Sequence, residues 1–148
     1  MQRLADSNLW LALTLSKHSF HAVSREWLEN LPAGEKLVFC RATQQSFLRL
    51  LTTKEVLAPY GNPPLSNAAA WAKYQEWLAT ALIGFAHEPA GIEMHWRRLA
   101  AANSASPKLW MDAYLGAFAI AGGMQLVTID RAFQQFKDLD SLVLAREE

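Results

Sequence analysis

Apolar positions recur along this chain in two rhythms, one of helices and one of short buried strands. From Ser19 to Leu31 the residues Phe20, Val23, Trp27, Leu28 and Leu31 fall close to a 3.6-residue period, and Pro32-Ala-Gly34 stops it. That predicts an amphipathic helix over 19–31. Lys36–Arg41 is instead a compact apolar run of strand length, Lys-Leu-Val-Phe-Cys-Arg. The same reading gives an extended segment at 2–6, a helix or buried turn at 8–15, and a helix over Thr43–Thr52 with Phe47, Leu48, Leu50 and Leu51 facing inward. A helix capped by Ser66 reaches about Ala79, Leu82–Ala86 is a third strand, and Ala90–Ala102 is another helix. Ser106-Pro107 predicts a further helix start, Ser capping free N–H groups and Pro tolerated at the first position, with the helix running to Gly122. Gln125–Ile129 and Ser141–Ala145 supply the fourth and fifth strands, and Pro59-Tyr-Gly-Asn-Pro-Pro64 reads as a surface loop. Strands alternating with helices predict an α/β fold with a parallel sheet covered on both faces, and such sheets gather function beyond the carboxyl ends of their strands.

Composition narrows the setting. With 148 residues, 51% of them hydrophobic, the chain reads as one domain, 1–148, with a core that needs no staples. No apolar run approaches the ~20 residues of a membrane span. The opening residues lack a basic region followed by a long apolar run, and Cys40 is the sole cysteine, which together predict a reducing cytoplasm. Formal charge is zero, with 14 basic and 14 acidic residues, so any grip on RNA must be local rather than a broad basic surface. Arg97, Arg98 and Lys108 are the local candidates, set against the ordinary reading of a charge pair as a solvated helix face. His18, His21, His87 and His95 lack paired ligand spacing.

Three carboxylates carry the chemistry. Asp112 is the only charge between Leu109 and Ala121, where a lone carboxylate in a buried helix is costly unless paired or metal-bound. An ion pair with a neighbouring Lys or Arg is its competing explanation. Asp130 follows Val127-Thr-Ile129 and Asp6 follows the first strand, and each is equally readable as a helix N-cap. Jointly, two strand-end acids and one on the helix before the fourth strand suggest a divalent-metal site at one sheet edge. Mg²⁺ and Mn²⁺ favour oxygen ligands, and Mg²⁺ keeps several waters, so a few carboxylates plus a substrate phosphate suffice. Asn8 and the Thr128 hydroxyl stand close in sequence as supporting donors, with turn and strand polarity as their plain alternative. No Gly-rich nucleotide loop follows any strand.

The segments Asp6-Ser-Asn8-Leu-Trp, Cys40-Arg-Ala-Thr-Gln-Gln-Ser-Phe-Leu-Arg-Leu-Leu51, Lys108-Leu-Trp-Met-Asp112-Ala-Tyr-Leu and Gly123-Met-Gln-Leu-Val-Thr-Ile-Asp130-Arg-Ala-Phe133 together resemble PIN-domain ribonucleases, specifically VapC-type toxins of bacterial toxin–antitoxin pairs. The resemblance spans essentially the whole chain. It implies a three-layer α/β/α sandwich around a parallel sheet of four to five strands. It also implies a Mg²⁺- or Mn²⁺-dependent endoribonuclease acting on structured RNA such as tRNA or rRNA, and a homodimer restrained by a VapB-like antitoxin. Asp6, Asp112 and Asp130 match the family's acidic metal-site positions. One position departs: where many members carry a Glu on the helix after the second strand, this chain has Ser46. That departure keeps a second reading open, a catalytically weakened PIN-like module that acts by binding RNA or protein.

Overall fold

The structure, a computed structural model, describes residues 1–146. Five short strands, β1 (Gln2–Ala5), β2 (Lys36–Phe39), β3 (Ile83–Phe85), β4 (Gln125–Thr128) and β5 (Ser141–Val143), form one sheet in the order β3-β2-β1-β4-β5. All four pairings are parallel, with Leu4 opposite Val38 on one side and Leu126 on the other. Parallel strands need crossovers, and these put helices on both faces. Alternate side chains of each strand therefore enter different cores.

Ala5, Leu37, Phe39 and Val127 pack with α1 (Ser7–Thr14), α2 (His21–Glu29), α3 (Arg41–Leu51), α4 (Lys54–Leu57) and α5 (Asn67–Leu78). At its centre the Trp10 ring stacks on Phe39 with centroids 3.7 Å apart. Leu4, Val38, Cys40 and Leu126 pack on the opposite face with α6 (Ile92–Ala100), α7 (Leu109–Gly122), Phe133 and Phe136. This is the three-layer α/β/α sandwich, with five strands and seven helices among the described residues.

Three local expectations change. The last long helix starts at Leu109, not at Pro107; Ser106 hydrogen-bonds through its hydroxyl to Ser104 and holds the helix start only by its carbonyl, which accepts from Leu109 N. Asp112 consequently lies in the first turn of α7. That end of the helix is open to solvent, with Trp110 60% and Met111 49% exposed, so the all-round burial implied by its apolar sequence begins only at Ala113. The segment after Asp130 is a 3₁₀ helix, Arg131–Gln135. Finally, α4 and a 3₁₀ turn at Ala58–Tyr60 occupy a stretch where the apolar pattern was too short to announce a helix. No helix among the described residues is long and apolar enough to cross a membrane.

Candidate active site

The chain runs outward from β1 through β2 to β3, then returns to the other side of β1 as β4. In open parallel sheets such a reversal splays the connections that leave the carboxyl ends of the two strands, here β1 and β4. Asp6 follows β1 directly, and Asp130 comes two residues after β4. Asp112 reaches the same edge because α7 returns to the start of β4 and so lies antiparallel to it. Gly123 makes this return tight: its φ of +64° ends α7 in a left-handed cap two residues before β4, a conformation glycine adopts without steric cost.

Asp6 is 4% exposed and bound at both oxygens. Oδ1 accepts from Leu9 N at 3.1 Å, the N-cap bond of α1, and Oδ2 accepts from Thr128 Oγ1 at 2.8 Å. The same Thr128 hydroxyl accepts from Asp130 N at 2.9 Å. One buried threonine thus ties together acids from two strands. Asp130 caps its own 3₁₀ helix, Oδ1 accepting from Ala132 N at 2.9 Å. The capping reading of Asp6 and Asp130 is therefore realised, and Thr128 links the two residues.

Burial dominates the electrostatics of Asp6 and, despite its two hydrogen bonds, pushes its pKa up to about 7, with the charges of Asp130 and Asp112 adding to the shift. Asp112 is also raised, first by burial and then by Asp130, with Lys108 one helical turn away opposing the shift. Among the described residues Asp112 forms no ion pair within 4.0 Å. The three aspartates therefore repel one another without a close cation. Among the described residues no three His, Cys, Asp or Glu side chains form a group that could hold a metal ion by themselves. An open set of carboxylate oxygens fits a hard divalent cation that keeps part of its water shell.

The remaining candidates separate. Thr128 is central, whereas Asn8 is exposed on α1 and bonds to none of the aspartates. Ser46 is half-buried on α3, on the stripe that also carries Ala42 and Gln45. Lys108 stands within electrostatic reach of Asp112. Arg98 is engaged elsewhere, donating to Asp138 at 2.7 Å, and Arg97 is exposed on α6. Sequence reading passed over Tyr114, whose hydroxyl donates to Glu88 Oε1 at 2.7 Å; a phenol two residues after Asp112 in an otherwise apolar helix was the available signal.

The family profile described as PIN domain matches residues 3–139. The chain belongs to the PIN-domain family. This PIN chain is 51% identical over 144 residues to Ribonuclease VapC41 of Mycobacterium tuberculosis, covering 97% of its own length and 99% of the relative's. Its fold is similar to that in the crystal structure of VapBC2 from Rickettsia felis bound to a promoter DNA fragment, with a TM-score of 0.70 and 14% identity over 98% of this chain and 100% of that one. It is also similar to Mycobacterium tuberculosis VapC20, described as a sarcin-ricin loop cleaving toxin. There the TM-score is 0.65 and the identity 18%, over 99% and 100% of the two chains. These structural likenesses place the five-stranded sheet and its helices in the PIN fold.

Proposed function

We propose that this PIN protein is a VapC-type toxin: an endoribonuclease that cuts structured RNA with a Mg²⁺ or Mn²⁺ ion held by Asp6, Asp112 and Asp130, directly or through water. The observation that carries the reading is the electrostatic conflict at the sheet edge, where a buried Asp6 faces two further carboxylates and is pushed up to about 7. A protein gains nothing in stability from such a cluster, and a cation resolves it. When bound, the ion supplies a Lewis acid for the phosphate and an acidified water for in-line attack. The chain's own part is orientation. Thr128 and Leu9 N hold Asp6, Thr128 and Ala132 N hold the Asp130 segment, and Asp112 keeps both oxygens free of side-chain partners among the described residues.

The VapBC structures to which the fold is similar support an antitoxin of VapB type as partner. A homodimer is supported by α5, where Trp71 is 46% and Leu78 36% exposed. Seven residues apart, they share one helix face. The adjoining groove between α2 and α5 is mixed rather than apolar, with Arg25, Lys73 and Glu76 around Trp77. A cytoplasmic setting follows from an RNA substrate.

The test is cleavage of a broad RNA panel by protein purified free of antitoxin, with Mg²⁺, with Mn²⁺ and with chelator. Cleavage should require the ion, and each of Asp6→Asn, Asp112→Asn and Asp130→Asn should lower it by 10²-fold or more, on the order of removing one electrostatic stabiliser of the transition state. Absence of cutting under every condition, with RNA still bound, would favour the binding-module reading that Ser46 keeps open.

A further inference from the structure

A cavity opens at the carboxyl edge of the sheet, beyond β2 and β3. It encloses about 400 Å³ and is walled by Arg41 and Gln45 of α3, Phe85 of β3, His87 and Glu88 just beyond it, and Tyr114 of α7. Tyr114 and Asp112 are two residues apart, hence about 200° around the helix from each other. The two side chains thus reach opposite flanks of α7, and β3 lies only two strand spacings, about 10 Å, from β1 and Asp6.

The lining has the chemistry of a nucleobase site. The Arg41 guanidinium lies 4.9 Å from the centroid of the Phe85 ring, and the His87 ring meets Phe85 at 5.2 Å. Unpaired RNA bases stack on such aromatic and guanidinium planes and are read along their hydrogen-bonding edges. The volume is in the range of small-ligand pockets. Glu88 is the discriminating group. Its Oε1 accepts from the Tyr114 hydroxyl, and none of the ion pairs among the described residues involves it. A phenol keeps its proton at physiological pH, so the Tyr114 hydroxyl is a donor and fixes the carboxylate. An ionised carboxylate only accepts, and it repels phosphate, so it cannot serve to grip the RNA backbone. It suits a base edge with two adjacent N–H donors. Among the four RNA bases only guanine offers this, through N1–H and its 2-amino group, while its O6 suits the donors of Gln45 and Arg41.

We propose that this cavity is a guanine-selective nucleobase subsite, in which Glu88 reads the N1–H and 2-amino edge and Tyr114 acts as the positioning residue for Glu88. The bound base would then neighbour the bond to be cut, and only this placement rests on the ribonuclease reading.

The deciding measurement is fluorescence anisotropy in chelator, so that nothing is cut, with short labelled single-stranded RNAs that carry guanine, inosine or adenine at one position. Inosine keeps N1–H and O6 but lacks the 2-amino group. Wild type should bind the guanine RNA about tenfold more tightly than the inosine RNA, the scale of one hydrogen bond to a charged acceptor. Glu88→Gln should shrink that preference to within about twofold, with any gain from the lost negative charge shared by all three RNAs, and Tyr114→Phe should give an intermediate preference. Equal affinity of wild type for guanine and inosine RNAs, or a full guanine preference surviving Glu88→Gln, overturns the proposal. Adding Mn²⁺ to the same RNAs tests cleavage separately: a guanine preference without any cutting supports the subsite and counts against the nuclease.

Discussion

Asp6 serves two ends that pull against each other: its carboxylate caps α1 and answers Thr128, yet its burial disfavours the charge that both bonds prefer. The consequence for stability has a definite sign. With the folded value near 7 and the ordinary one at 3.8, the native protein keeps a proton that the unfolded chain has lost between those pH values. Metal-free protein should therefore lose stability as pH rises from about 4 to about 7 and level off above it. Thermal melts in chelator across that range check this. Asp6→Asn, which retains a good N-cap, should melt higher than wild type at pH 8 and show a weaker pH slope; the same slope in both proteins would refute the assignment. At this scale the sequence was legible in type but not in partner. Asp6, Asp112 and Asp130 stood out as candidates from their positions at strand ends and in an apolar helix. The link from Thr128 Oγ1 to Asp6 joins residues 122 positions apart, and no local pattern encodes it.

Periodicity located α2 and α3 because each buries one stripe, cap residues located α5 and the body of α7, and both signals failed where a helix is too short or too exposed. The start of α7 illustrates the difference. Ser106-Pro107 has the composition of a cap, but the Ser106 hydroxyl is taken by Ser104, and Trp110 and Met111 stand in solvent although their type suggested core. On α3 the buried polar residues are Thr43 and Gln44. Thr43 Oγ1 accepts from Cys40 N at 2.9 Å and fixes the first turn, while Ser46 lies one turn beyond Ala42. If that stripe points toward the aspartates, Ser46→Glu brings a further charged oxygen to the cation, and Mn²⁺ affinity should tighten several-fold in a calorimetric titration. Unchanged affinity would mean that position 46 faces away from the cation.

For the molecule as a whole, the alternation of strands and helices made the parallel three-layer architecture readable, since each rhythm reports a burial pattern that only such layering satisfies. Strand order was not readable from periodicity, because every strand is apolar on both faces and so gives no clue to its neighbours. The exposed pair on α5 belongs to this scale too. Trp71→Glu should shift the protein from dimer to monomer in light scattering with little change in melting temperature, because the side chain is 46% exposed in the isolated chain; a dimer that persists would move the interface elsewhere. The strand order also sets a timetable. β1 is made early yet sits at the centre of the sheet, and its second neighbour, β4, is supplied only at residues 125–128. A ribosome adding roughly 5–20 residues per second leaves Asp6 waiting several seconds or more for Thr128 and Asp130. If these residues form the cutting site, the nascent chain stays harmless to the RNA of the ribosome that makes it until nearly all of it has been synthesised, an interval in which a partner can already be at hand.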